Sequence, residues 1–210
     1  MKTLVIATGN QDKVAEIKSI LKDLKLKILS KDQVGLSELE VVEDADTLKG
    51  NAILKAKAIL NRCDADIVLA DDTGLYVDSL SGLPGVHTAR YAGDHAGYAD
   101  NRIKLLEDMQ GVEAGERSAR FITSIVILDR EGNEHEALGV CEGTISTSER
   151  GEFGFGYDPI FIPEGYDKTF AELDSDTKNR ISHRALALEQ LKDLLERIGV
   201  EKNEEDTCSK

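Results

Sequence analysis

Tryptophan is absent from the 210-residue chain, and cysteine and proline are scarce, at three residues each. Cys63, Cys141 and Cys208 are far apart, odd in number and form no CxxC pair. That excludes a disulfide framework or a cysteine zinc site and points to reduced thiols in a cytoplasmic protein. Positive charge is also short: 26 basic against 40 acidic residues leaves a formal net charge of −14. A chain of this sign is not held on nucleic acid or anionic lipid by bulk electrostatics, so neither is expected as a partner. No apolar run approaches the roughly twenty residues needed to span a bilayer. The opening MKTLVIATGN has one lysine and an apolar stretch too short for a secretory signal. The GxxxxGK[ST], GxSxG and HExxH patterns and a glutamate run of the Nudix kind are all missing, which removes the commonest hydrolase signatures.

What remains is an ordinary globular composition, 40% hydrophobic and 31% charged, with no repeat and no linker-like break. The length fits one domain, or at most two small lobes. Residues 3–8 (TLVIAT) read as a buried strand that stops at Thr8-Gly9-Asn10. A helix follows, with Val14, Ile17, Leu21 and Leu24 on one face. A second helix is expected over 47–60, and a buried strand over 66–72 that ends on Asp71-Asp72, followed by Gly74, a separate short strand and a breaker-rich loop over 81–85. Residues 121–128 and 136–145 read as paired strands, and 100–109 as a short helix. The last helix carries Ala187, Leu191, Leu194, Leu195 and Ile198 and stops at Gly199. Residues 200–210 form a polar tail expected to fray.

Four clusters carry possible chemistry. Thr8, Gly9, Asn10, Gln11, Asp12 and Lys13 sit at a strand-to-helix turn, where backbone amides, hydroxyl and ammonium can cradle phosphate or simply cap a helix. Glu43, Asp44, Asp71 and Asp72 are acids of the kind that hold a hard divalent cation beside substrate phosphates, or cap turns. Phe153 to Pro159 alternates aromatics with glycines, giving flat faces for a base or a kinked core strand. Lys178 and Ser182-His183-Arg184 enter the last helix, where basic residues oppose the macrodipole unless an anion compensates. Pairing with Asp174 or Asp176 is the alternative. Together, local basic residues, an acid pair and an aromatic-glycine segment in an acidic chain suggest a phosphorylated nucleotide.

The segments TLVIATGNQDKVAEIKSIL, NAILKAKA, LADDTGLYVDSLSGLPGVHTARYAG, FGFGYDPIF and AELDSDTKNRISHRALAL, in that order, resemble the inosine triphosphatase (Ham1/RdgB-like) family of noncanonical purine NTP pyrophosphatases. The likeness runs from Leu4 to about Leu195. It implies an α/β fold: an elongated mixed β-sheet flanked by helices, with two lobes around a central active-site cleft. Residues 1–199 would form a single catalytic domain. The implied activity is Mg²⁺-dependent conversion of ITP, dITP and XTP to monophosphate and pyrophosphate by a homodimer. By motif, Thr8 to Lys13 would hold the triphosphate, Glu43 and Asp72 the metal, and Asp72 would also orient or deprotonate the attacking water. Thr73, Phe155, Gly156, Tyr157, Asp158, Lys178, His183 and Arg184 would bind nucleotide, the last two near the base, with Lys55 a further phosphate contact. One departure is LKGNA, where Gly50 replaces the acidic residue that many relatives carry before the asparagine. A Maf-like pyrophosphatase with another base preference and a non-catalytic nucleotide-binding module are the competing readings.

Overall fold

The computed structural model describes residues 1–203. The chain runs β1 (Lys2–Ile6), α1 (Gln11–Ile20), β2 (Leu26–Ser30), α2 (Leu48–Leu60), β3 (Ile67–Val77), β4 (Pro84–Gly85) and α3 (Tyr98–Asp108). It continues with β5 (Ser118–Asp129), β6 (Glu134–Ile145), β7 (Phe161–Pro163), α4 (Ser175–Ile181) and α5 (His183–Arg197). The sheet order is β2-β1-β3-β5-β6-β7, with β4 paired to β3. β1 runs parallel to β2 and β3, and the remaining pairs are antiparallel. This is a mixed sheet flanked by helices. Among the described residues no helix is long and apolar enough to cross a membrane.

The near-continuous apolar run of β1 is explained by cover on both faces. Leu4 and Ile6 pack with Ile17 of α1 and Leu191 of α5, while Val5 faces Ala52 and Ile59 of α2. A separate core surrounds the far halves of β3 and β5, where Leu75, Val77 and Phe121 meet Leu105, Phe161 and Phe170. Two lobes therefore share one sheet. On α5, Ala187, Leu188, Leu191 and Leu195 are fully buried, and each leucine contributes roughly 1.5–3 kcal/mol relative to exposure. Ser182 caps α5 by accepting from the Ala185 amide, and Gly199 ends it at φ 84°. Gly139 on β6 is required by close approach, because a Cβ there would overlap the His183 carbonyl. The N-terminus of α5 can thus press against the sheet.

The sequence reading of β3 needs correction. The strand does not end at Asp72; it continues to Val77, paired with β5 from Ile67↔Asp129 to Val77↔Ala119. Gly74 is no break but a strand residue whose missing Cβ admits the Gly85 carbonyl, 2.8 Å from where a Cβ would lie. What does end there is the parallel ladder. β1 pairs with β3 only as far as Ile6↔Leu69, and the Ala7 amide donates to the Leu69 carbonyl at 2.7 Å. Asp71 and Asp72 lie just past that point, at the carboxyl end of β1, where such sheets open a crevice.

Residues 201 and 203, expected to fray with the tail, are held to the β2 side of the fold. The Lys25 amide donates to the Glu201 carbonyl at 2.7 Å, and the Asn203 amide to Asp23 at 2.8 Å. Cys63 and Cys141 are free thiols. Cys208 and the rest of the tail, 204–210, lie outside the described residues.

Candidate active site

A cleft of about 670 Å³ opens between the lobes at the carboxyl end of β1. Successive residues of a strand point to opposite faces, so neighbours Asp71 and Asp72 serve different surroundings. On the α1/α5 face, Asp71 is fully buried. Lys13 lies 3.0 Å from its Oδ2, and Arg184 donates from Nε and from the NH2 nitrogen at 3.2 and 3.1 Å. Burial alone would raise this carboxyl, but Lys13 and Arg184 outweigh it and hold it well below the carboxylate range. The Lys13 pKa is lowered too, for the opposite reason: burial outweighs the Asp71 charge that would raise it. Arg184 also donates to Thr73 at 3.3 Å and to Glu16. These two acids supply the compensation that a cation at an α5 N-terminus requires.

On the α2 face, Asp72 Oδ1 accepts from Lys55 Nζ at 3.1 Å and its Oδ2 from Asn51 at 3.2 Å. Burial, partly opposed by Lys55, raises the Asp72 carboxyl above its ordinary value. Glu43 reaches the same ammonium, its Oε2 2.9 Å from Lys55 Nζ. Burial opposes the Lys55 charge, but Asp72 and Glu43 outweigh it and raise its pKa. Two carboxylates thus converge on one cationic point. That arrangement fits Mg²⁺, which commonly takes one or two carboxylates and completes its shell with phosphate oxygens and water. Among the described residues no group of three acid, histidine or cysteine side chains gathers for a metal, here or elsewhere.

The third wall comes from the segment after β6. Gly154 adopts φ 75°, which brings the Phe155 amide to Asp158 Oδ2 at 2.8 Å. Asp158 in turn pairs with Lys178 at 2.7 Å, and Lys178 reaches Glu16 at the same distance. Burial works against the Lys178 charge, but Asp158 and Glu16 raise its pKa above the usual value. The Lys178 ammonium sits 4.8 Å from the centre of the Phe155 ring. His183 stacks on Phe121 at 4.4 Å, and its buried Nδ1 has no hydrogen-bond partner among the described residues. Burial, then Arg184 and Lys178, push its pKa well below the usual value, so the ring is neutral.

Of the residues singled out from sequence, Thr8, Gly9, Asn10, Lys13, Glu43, Lys55, Asp72 and Thr73 line the cleft. So do Phe155, Gly156, Tyr157, Asp158, Lys178, His183 and Arg184. Gln11 and Asp12 do not. Gln11 Nε2 donates to Asp32 at 2.8 Å, and the Asp12 side chain is exposed. The amides of Asp12 and Lys13 already donate to Asn10 Oδ1 at 3.0 and 3.2 Å, so the first turn of α1 is capped from within. Lys178 and Arg184 pair with Glu16, Asp158 and Asp71, not with Asp174 or Asp176; Asp174 caps α4. Sequence reasoning missed Glu16 and Asn51. Asn51 shares a face of α2 with Lys55, four residues on, which was the available signal.

Comparison with known proteins agrees with this geometry. The pattern of the Ham1 family matches residues 4–194. A dITP/XTP pyrophosphatase of Clostridium tetani is 47% identical over 93% of this chain and 96% of its own. One of Bacillus subtilis is 45% identical over 93% and 98%. Among solved structures, the Staphylococcus aureus Ham1 protein superposes with a TM-score of 0.82 at 36% identity, covering 94% of this chain and all 100% of that one. A HAM1 protein from Coxiella burnetii gives 0.83 at 37% identity with the same coverage. A sheet of this topology, a cleft at the end of its parallel ladder and a match across nearly the whole chain lead to one conclusion: the protein belongs to the Ham1 family.

Proposed function

We propose that this chain is a nucleoside triphosphate pyrophosphohydrolase that converts ITP, dITP and XTP to monophosphate and pyrophosphate. The observation that carries the reading is the placement of Asp72 beside Lys55 and Glu43, within a cleft that also gathers Lys13, Lys178 and Arg184. Four buried or nearly buried cations gathered in one cleft suit a polyanion in a chain that is otherwise strongly acidic. The names of the relatives supply the substrate class.

Asp72 accepts the proton of the attacking water; its raised pKa makes it a better base than an exposed carboxylate. Asn51 and Lys55 fix the orientation of the carboxylate. Lys13 and Thr8 face the phosphates, and the cations take up charge that develops on departing pyrophosphate. Glu43 and Asp72 would hold Mg²⁺, which when bound supplies positive charge to phosphate oxygens. Phe155 offers its ring to the purine. His183, neutral and lining the cleft, contacts the C6 oxygen, while Arg184, largely committed to Asp71, Glu16 and Thr73, holds that wall in place. The protein works as a cytoplasmic homodimer, which sedimentation would check.

The test is incubation with ITP, XTP, dTTP and ATP in the presence of Mg²⁺, followed by assay of pyrophosphate. Release from ITP and XTP, with ATP left nearly intact, is expected. Preferred release from dTTP would favour the Maf-like reading, and tight binding without turnover a binding module.

A further inference from the structure

Six cationic side chains line the cleft, and they fall into two groups. Lys13, Lys55, Lys178 and Arg184 each pair with at least one carboxylate. Lys31 and Arg90 do not: among the described residues, no carboxylate oxygen lies within ion-pair distance of either. Lys31 Nζ donates to the Leu39 carbonyl at 2.9 Å. Arg90 donates to the Glu43 carbonyl at 3.2 Å and lies 3.3 Å from His87 Nδ1. Their charge is therefore not neutralised by a fixed partner. A carbonyl is a weaker acceptor for a cation than a phosphate oxygen.

Position assigns them to one end of the cleft. Lys31 crosses the Thr8–Lys13 turn, its Cε 3.2 Å from where a Cβ on Gly9 would sit. Arg90 is tied to the backbone of Glu43, whose carboxylate meets Lys55 and so adjoins Asp72. Phe155, under the Lys178 ammonium, and His183, stacked on Phe121, supply the aromatic wall of the cleft. Lys31 follows β2 in one lobe, and Arg90 follows β4 in the other. Both grip the same strand-free stretch, residues 36–47, which also carries Glu43. Glu40 and Asp94 are the remaining acids on this part of the wall, and neither pairs with them.

We propose that Lys31 and Arg90 bind the terminal phosphates of the triphosphate, one from each lobe, exchanging the Leu39 and Glu43 carbonyls for phosphate oxygens. They hold the two phosphates that leave as pyrophosphate, and so distinguish a triphosphate from a monophosphate with the same base. The proposal rests on the nucleotide reading above, but binding of pyrophosphate tests it separately.

The experiment measures inhibition by pyrophosphate and by inosine monophosphate in the wild type, Lys31→Ala, Arg90→Ala and the conservative Lys31→Arg. Direct calorimetric binding of pyrophosphate serves if there is no turnover. Each alanine variant should weaken pyrophosphate about tenfold or more, the worth of one charged hydrogen bond, and inosine monophosphate less than about twofold. Lys31→Arg should recover most of the loss. Equal weakening of both ligands would mean that the two residues merely brace the 36–47 segment, and would overturn the proposal. Unchanged pyrophosphate affinity in both alanine variants would do so as well. Failure of the wild type to release pyrophosphate from ITP would instead remove the reading beneath it, while the calorimetric comparison would still decide the roles of Lys31 and Arg90.

Discussion

Asp71 and Asp72 are the same amino acid at adjacent positions of one strand, and their environments drive them apart. Asp71 faces α1 and α5, has no exposed surface, and is held ionised by Lys13 and Arg184. Asp72 faces α2, shares the Lys55 ammonium with Glu43, and keeps a small opening to the cleft. There, burial outweighs the cations and raises its proton affinity. The alternation of a β-strand has separated a fixed anchor from a group able to take a proton. Pairs whose surroundings push their proton affinities in opposite directions are a recurring source of divided catalytic roles.

The largest effect should come from the chemical side of the pair. Asp72→Asn is expected to lower kcat for ITP by on the order of 10² to 10⁴, the worth of a positioned base. Its folding stability should change by less than about 1 kcal/mol, because Lys55 keeps Glu43 and an amide oxygen can still accept from Asn51. Steady-state kinetics and urea unfolding on the same preparation check both halves, and near-wild-type turnover would remove Asp72 from the reaction. Asp71→Asn should do the reverse, failing first as a structure. It leaves Lys13 buried without its carboxylate and strips one of two acids from Arg184. Breaking a buried pair from one side costs about 3–5 kcal/mol, which in a domain of this size lowers Tm by roughly 10 °C. An unfolding midpoint equal to that of the wild type would show that the anchor role is misassigned.

How much of this was legible follows from how local each signal is. The β1–turn–α1 unit, the β5–β6 pair and the α5 stripe rest on periodicity and turn residues that lie within one window, and each emerged within a few residues of its observed limits. β3 was cut short because Asp-Asp-Thr-Gly looks like a turn in isolation. Its continuation depends on an eleven-residue pairing with β5, some fifty residues away. The cations were visible as charges, but their partners were not. Lys178 to Glu16 spans 162 positions, and only the packing of α4 and α5 against α1 brings them together. Gln11 and Asp12 lie off the cleft for a converse reason: a motif read as six contiguous residues sits on a helix start, where successive side chains diverge.

The smallest expected effect probes the anchor side through its outer member, Glu16. Its oxygens accept from Lys178 at 2.7 Å and from Arg184, whose other carboxylate is Asp71; Asp158 shares Lys178. Burial would raise the Glu16 carboxyl, but Arg184 and Lys178 outweigh it and lower the pKa below its usual 4.5. An acid whose folded pKa is depressed binds fewer protons in the native state than in the unfolded chain. Its stabilisation is therefore complete above the unfolded value and drains away as pH falls through that value toward the folded one. Glu16→Gln keeps the shape and deletes this titration. At pH 7 the variant should melt a few degrees below the wild type, for a loss of about 1–2 kcal/mol at roughly 2–4 °C per kcal/mol. Below about pH 4.5 the two melting curves should approach each other, because the wild-type carboxyl gains its proton and loses the same advantage. Scanning Tm of both proteins from pH 7 to pH 3 measures the gap directly. A gap that stays constant across that range would show that Glu16 acts through packing and hydrogen-bond geometry alone, and that the charge balance of the anchor resides in Asp71.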